Sequence, residues 1–193
     1  PPPPPILGRR LASRGSAGQR ETFCLSLRVL ASSQGMAVKG EQVFSAEIAA
    51  PVGVCFEVIT TFERYPEWFS AVSEANVLER YPDGLGKIVE YFMDMFLKRI
   101  RYVLESEYEQ PSRLTWHSVD GDIESIQGSY DLEPIDKTHT RATCRQAVTV
   151  GFWVPGSIKK MIEQNALKQS VLEFKAAAEA AYRESRQRKS KRA

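Results

Sequence analysis

The sequence predicts an α+β fold in which a curved antiparallel sheet wraps around one long C-terminal helix. After residue 86 the chain contains five strand-like segments separated by short turns, so neighbouring strands should pair antiparallel. A long segment with helical apolar periodicity follows the last of them. A sheet bent around a helix cannot touch it everywhere, so the fold should leave a space that can hold a ligand.

The part of the chain before these five segments is predicted to hold two strands and two short helices. Pro51 suits the first turn of a helix that runs to about Ile59. Thr60 or Thr61 is expected to cap a second short helix, which Pro66 restarts or breaks. The two strands are predicted at residues 43–49 and 72–81.

Alternation along the five later segments predicts which side chains face the helix. The segments are residues 87–97, 99–108, 113–119, 123–133 and 137–150. Their inner face should include Tyr91, Met93, Met95, Tyr102, Leu104, Trp116 and Tyr130. Gly128 falls where a strongly bent sheet favours a residue without Cβ. Such side chains are typical of a cavity wall, although an ordinary packed core has a similar composition.

The closing helix is predicted to start near Ser157 and to end near Ala181. Its apolar residues form two stripes, one with Ile158, Met161, Ile162, Ala166, Leu172 and Ala176, the other with Leu167, Val171, Phe174 and Ala178. One stripe must face the sheet, and the other meets the short helices or a second subunit. Met161 and Asn165 are predicted to line the cavity; the oligomeric state stays open.

Charge separates the domain from the two ends of the chain. Residues 1–39 are predicted to be disordered or a non-native extension, residues 40–181 the domain, and residues 182–193 a basic disordered tail. Residues 36–181 contain 15 basic and 22 acidic residues. An acidic body repels nucleic acid, so no nucleic-acid partner is expected. The tail instead suits transient contact with an anionic membrane.

The N-terminal segment allows three interpretations. Residues 1–35 contain five arginines and one acidic residue, Glu21. The segment is an unstructured extension, an Arg-rich transit peptide, or translated upstream sequence with Met36 as the natural start; the last is favoured, because the domain pattern begins soon after Met36. Residues 23–30 are too few and too charged to span a bilayer. A cytoplasmic location is expected.

A search for reactive groups finds no catalytic constellation. Cys24, Cys55 and Cys144 have no zinc-like spacing and are predicted to be reduced thiols. His117 and His139 are expected to point outward, outside any recognisable triad. The acidic residues Asp120, Asp122 and Glu124 are typical of a solvated loop. We therefore predict no catalytic residue, metal ion or cofactor.

Four segments resemble a known family. They are residues 49–58, Tyr65-Pro66-Glu67-Trp68, Gly128-Ser129-Tyr130-Asp131-Leu132 and Val154-Pro155-Gly156 with the helix that follows. The chain resembles the START-like helix-grip (SRPBCC) superfamily, also called Bet v 1-like, and within it the polyketide cyclase/dehydrase and coenzyme-Q-binding branch. The resemblance implies a hydrophobic cavity with Trp68, Phe69, Phe152 and Trp153 near its entrance.

Three functions are open to such a domain. The leading hypothesis is a non-catalytic carrier that binds a hydrophobic small molecule, such as a lipid, quinone or polyketide-like compound. A polyketide aromatase/cyclase would need polar groups inside the cavity, and the predicted inward candidates are Tyr91, Tyr102, Tyr130 and Gln146. The third is a ribosome-associated interaction module, which the basic tail supports.

Overall fold

The structure, a computed structural model, describes residues 40–95, 98–150 and 156–191; the side chains of Met95 and of residues 156–164 are not described. These residues belong to the unit that spans Met36–Ala193. The predictions for residues 1–39, Cys24, Phe152 and Trp153 therefore lie outside the described residues. In the part of the chain that is described, no helix is long and apolar enough to cross a membrane.

A seven-stranded antiparallel sheet and one long helix make up most of the domain. The elements are β1 Gln42–Ile48, α1 Val52–Thr60, a 3-10 turn Phe62–Arg64, α2 Tyr65–Trp68, β2 Glu74–Arg80, β3 Gly86–Met95, β4 Lys98–Glu109, β5 Arg113–Gly121, β6 Ser125–Pro134, β7 Thr140–Thr149 and α3 Gly156–Ser190. The strand order is β1-β7-β6-β5-β4-β3-β2. The predicted α+β fold and the meander from β3 to β7 are confirmed, and the first strand, β1, pairs with the last, β7.

The two threonines at the end of α1 do not cap the next helix. The Thr60 hydroxyl donates to the Phe56 carbonyl at 2.7 Å, and the Thr61 hydroxyl donates to the Glu57 carbonyl at 2.7 Å. Both hydroxyls therefore bond backward along α1, and no side chain caps the 3-10 turn. The capping prediction is wrong because a hydroxyl at a helix end can reach the carbonyl four residues earlier.

One apolar stripe of α3 is buried within its described part. Leu167, Val171, Phe174 and Ala178 are at most 7 % exposed, whereas Leu172 of the other stripe is 43 % exposed. The stripe through Phe174 is therefore the one that joins the core, a choice that the sequence left open.

Helix α3 also continues to Ser190, so the predicted end near Ala181 is wrong. The basic segment after Ala181 is helical up to that residue, with Arg183, Arg186, Arg188 and Lys189 exposed. Its sequence contains neither Gly nor Pro, the residues that commonly end a helix. The charge change along the chain thus marks where burial ends rather than where the helix ends.

Polar contacts hold the C-terminal half of α3 against the end of β1. The Ala49 N–H donates to Glu179 Oε1 at 3.0 Å, and Lys175 Nζ donates to the Glu47 carbonyl. Beside them, the buried Thr140 hydroxyl donates to the Ala50 carbonyl at 2.8 Å. These contacts fix one end of the helix close to the sheet.

Candidate functional site: an aromatic cavity between sheet and helix

A cavity of about 850 Å³ lies between the inner face of the sheet and α3. Side chains from β3 to β7 meet others from α1, α2 and the described part of α3 around it. This volume lies within the range of small-molecule binding sites. The lining includes Ile59, Phe62, Tyr65, Trp68, Phe69, Ser70, Tyr91, Met93, Tyr102, Leu104, Ser106, Leu114, Trp116, Ile123, Ile126, Tyr130, Cys144, Gln146, Val148, Leu167, Gln169 and Ser170.

The structure brings most of the predicted wall residues together. Those that line the cavity are Tyr91, Met93, Tyr102, Leu104, Trp116 and Tyr130, together with the predicted entrance residues Trp68 and Phe69. Asn165 is exposed and does not line the cavity. The side chains of Met95 and Met161 are not described. The described residues chosen by strand alternation thus share the face that lines the cavity, whereas Asn165 lies outside the lining because the opposite helix stripe faces the core.

Sequence reasoning missed the contribution of the short helices to the wall. Phe62 and Tyr65 line the cavity and are at most 8 % exposed. The 3-10 turn and α2 have three and four residues, too few to show an apolar period. The Tyr65 hydroxyl donates to the Ile59 carbonyl at 2.7 Å, which ties this segment to α1. The aromatic content of residues 62–69 was the available signal.

Aromatic rings form a continuous floor on β3 and β4. Tyr91 and Tyr102 are direct cross-strand partners, and their rings stack with centroids 5.2 Å apart and planes 14° apart. Phe62 meets Tyr91 edge-on at 6.3 Å, and Tyr65 lies 5.9 Å from the same ring. Such ring contacts favour fixed orientations. The floor is therefore a defined surface for a planar or apolar ligand.

Gly128 lets the Trp116 indole lie directly on the sheet. A Cβ at this position would stand 2.5 Å from the Arg145 carbonyl oxygen and 2.5 Å from the Trp116 ring. The indole in turn lies 5.8 Å from the Tyr130 ring. This close contact is the physical reason why the bent strand has a glycine at the predicted position. The missing side chain makes room for one face of the cavity.

The cavity phenols are neutral groups. Burial raises the pKa of Tyr91 and of Tyr102 well above the usual range, because a phenolate would lose its hydration. Burial likewise raises the pKa of the Cys144 thiol to about 12. At physiological pH these groups can donate hydrogen bonds, but they are weak general acids and the thiol is a poor nucleophile.

A polar clasp joins the segment after α2 to helix α3. The Ser70 N–H and hydroxyl donate to the two carboxylate oxygens of Glu173, at 3.0 and 2.6 Å. Gln169 Nε2 donates to Glu173 Oε1 at 3.0 Å. Ser70 and Gln169 also line the cavity. We call Ser70, Gln169 and Glu173 the clasp; it ties together two elements of the cavity wall.

The remaining polar candidates lie away from the cavity. His117 is exposed and lies 3.7 Å from Glu105, and His139 is exposed and hydrogen-bonds Asp136 at 2.9 Å. Asp120 pairs with Arg101 at 2.8 Å. Over the described residues, no group of three or more potential ligands could hold a metal ion.

Comparisons with solved structures show the same architecture elsewhere. A START superfamily protein from Mycobacterium smegmatis matches with a TM-score of 0.65 and 18 % identity, covering 72 % of this chain and 97 % of that one. The Zhui aromatase/cyclase from Streptomyces sp. R1128 matches with a TM-score of 0.60 and 12 % identity, covering 72 % of this chain and 93 % of that one. Identities this low show the fold alone.

Sequence comparison defines the family. No curated protein matches the chain at a significant level. The profile of the family described as polyketide cyclase / dehydrase and lipid transport matches residues 48–175. The matched part runs from the end of β1 into the buried half of α3 and so includes strands β2 to β7. The chain therefore belongs to the polyketide cyclase/dehydrase and lipid transport family, with the START-like helix-grip fold.

Proposed function

We propose that this protein binds a hydrophobic small molecule in the cavity and carries it without changing it chemically. The observation that carries the proposal is the cavity of about 850 Å³ with aromatic walls. Burying apolar ligand surface against such walls stabilises a complex by about 25 cal/mol per Å² before the costs of association. A lipid, a quinone or a polyketide-like compound fits this chemistry.

The protonation states of the lining favour carriage over cyclisation. An aromatase/cyclase must move protons at a ketone chain, which requires groups whose pKa values lie near the working pH. The phenols of Tyr91 and Tyr102 and the thiol of Cys144 have raised pKa values because of burial. Among the described lining residues, the carboxylates belong to Glu41 and Asp94. Asp94 is exposed, where water competes for proton transfer.

Binding can be tested with N-phenyl-1-naphthylamine, a neutral apolar dye that fluoresces when it leaves water. Ser170→Trp would place an indole in the cavity, because Ser170 lies on α3 and its side chain lines the cavity. We expect this variant to bind the dye at least tenfold more weakly. Leu172→Trp, on the exposed side of the same helix, is the matched control and should bind like the wild type.

The carrier role is tested on the ligand itself. Mass spectrometry of an organic extract identifies the molecule that co-purifies, and the same molecule is then incubated with fresh protein. Recovery of unchanged ligand supports a carrier, whereas a product that has lost water supports an aromatase/cyclase. Dye binding that is equal in the wild type and Ser170→Trp would contradict the cavity as the binding site.

We also propose that the basic end of α3 brings the protein to anionic membranes. Arg183, Arg186, Arg188, Lys189 and Lys191 are exposed there, and each contributes on the order of 1 kcal/mol near such a surface, less at high salt. Sedimentation with phosphatidylserine vesicles should fall when these residues are replaced by glutamine. Equal sedimentation of both proteins would contradict this contact.

A further inference from the structure

We propose that the hydroxyls of Tyr91 and Tyr102 form a binding site for a carbonyl oxygen, so that the ligand is a neutral carbonyl compound with an apolar body. The inference rests on the proposed function, because it names the ligand class of the same cavity. It concerns one place on the aromatic floor, where β3 and β4 present paired phenols.

The two hydroxyls differ from the other phenols nearby in having no hydrogen-bond partner among the described residues. Tyr65 donates to the Ile59 carbonyl and Tyr108 to the Gly86 carbonyl. Tyr91 and Tyr102 make no hydrogen bond to another described residue. Yet in the described part of the chain no fully enclosed side-chain oxygen lacks a partner. Both hydroxyls must therefore be reached from the cavity that these residues line.

The pair is arranged to act on one ligand group. The residues are direct cross-strand partners with stacked rings, 4 % and 7 % exposed. A carbonyl oxygen has two lone pairs and can accept from two donors. A phenol left without a partner in an apolar cavity carries a desolvation cost, which a ligand acceptor removes. The unsatisfied donors therefore favour a ligand that brings an acceptor over a pure hydrocarbon.

Charge in the cavity wall favours a neutral ligand. The described lining residues include no Lys, Arg or His, and their carboxylates are those of Glu41 and Asp94. Among the described lining residues, a carboxylate or phosphate buried there would find no cation to compensate its lost hydration. A ketone, quinone or ester carbonyl makes the same hydrogen bonds without that cost. The geometry thus separates a neutral carbonyl compound from a fatty-acid anion.

Three probes with one ring skeleton test the site by equilibrium dialysis. Fluorenone has a carbonyl where fluorene has a methylene group, and fluorene-9-carboxylate is an anion at neutral pH. In the wild type we expect fluorenone to bind more tightly than the carboxylate. In Tyr91→Phe/Tyr102→Phe we expect the affinity ratio of fluorenone to fluorene to fall about tenfold, with the two single variants between. Tyr81→Phe is the matched control, because Tyr81 does not line the cavity and its hydroxyl already donates to the Ser106 carbonyl.

The outcomes separate the two proposals. An unchanged ratio in the double variant, or an equal fall in Tyr81→Phe, would overturn the carbonyl site while fluorene binding still supports the hydrophobic cavity. Carboxylate binding as tight as fluorenone binding would overturn the neutral ligand class. Failure of folded wild-type protein to bind either neutral probe would overturn the proposed function, and with it this site.

Discussion

Helix α3 meets the sheet in two different ways along its length. At the packed end, around Ala142, Phe174 and Ala178, side chains are fully buried and the helix contacts the backbone of β1. At the hollow end, Tyr91, Tyr102 and Trp116 line an open cavity. Two small residues, Ala142 and Ala178, thus lie with Phe174 where the packing is complete, whereas large rings line the open part.

The packed end and the hollow end also differ in the hydrogen bonds of one carboxylate on α3 at each end. At the packed end, Glu179 accepts from the Ala49 N–H and from Lys175. Burial raises the pKa of Glu179, but these hydrogen bonds and the Lys175 charge outweigh it, so the pKa is lowered. At the hollow end, Glu173 accepts from Ser70 in the clasp. One carboxylate therefore anchors the core, whereas the other closes the cavity wall.

The largest predicted effect comes from a substitution at the boundary between the packed end and the hollow end. Phe174 is fully buried, and its ring lies 5.3 Å from Tyr130 and 6.1 Å from Trp68. Phe174→Ala should lower the free energy of unfolding by about 3–5 kcal/mol, because it extends the cavity into packed core. Urea denaturation measures this loss.

The control for that change is Leu172→Ala, on the exposed side of the same helix. Its cost should stay within about 1 kcal/mol, since little packing is lost. Equal losses in the two variants would show that Phe174 belongs to the hollow end, and the contrast between the ends would be wrong.

A glycine pair tests how tightly the wall of the hollow end is built. Gly128→Ala should cost about 1–3 kcal/mol, because the new Cβ would meet the Arg145 carbonyl and the Trp116 ring. Gly53→Ala in α1 is the matched substitution, with nothing within 4 Å of the new Cβ. It should stabilise the protein by about 0.5–1 kcal/mol. Thermal unfolding measures the change in stability of both variants. A Gly128→Ala variant as stable as the wild type would contradict the close contact with the indole.

The raised pKa values of the hollow-end phenols predict alkaline instability. Burial raises the pKa of Tyr91 and of Tyr102 above the ordinary value of a tyrosine, about 10. The unfolded chain therefore releases these protons first, so the stability they contribute is complete below about pH 10 and is lost as pH rises above it. In Tyr91→Phe/Tyr102→Phe, the free energy of unfolding should fall less between about pH 9 and 11. Urea denaturation at each pH measures this difference. If the free energy of unfolding falls equally with pH in both proteins, the phenols are hydrated in the folded state.

The sequence predicted the sheet better than the helix for a physical reason. A strand has only two faces, so alternation placed Tyr91, Tyr102 and Trp116 once the meander was recognised. A helix with two apolar stripes could bury either stripe against the sheet, and its sequence alone does not favour one. Only packing against the sheet selects the stripe with Phe174. Asn165 was misplaced for that reason.

The clasp and the free phenols could not be predicted at all. The Ser70 hydroxyl meets Glu173 across 103 positions of the chain, a contact that no local pattern encodes. The contrast between the Tyr65 hydroxyl, which is bonded, and the Tyr91 hydroxyl, which is not, depends on atomic positions. The aromatic residues were visible in the sequence, but their hydrogen bonds were not.

The smallest predicted effect distinguishes the roles of Glu173 and Glu179, the two carboxylates of α3. Glu173→Gln removes one of the acceptors that Ser70 uses, so the clasp should open more often and the bound dye should leave about fivefold faster. The free energy of unfolding should change by less than about 1 kcal/mol, because the site is exposed. Glu179→Gln should do the reverse, lowering stability at the packed end while the dye leaves at the wild-type rate. Stopped-flow displacement of N-phenyl-1-naphthylamine and urea denaturation of the same samples measure both quantities. If both variants release the dye equally fast, the clasp is no gate, and ligand exchange depends on the whole helix moving away from the sheet.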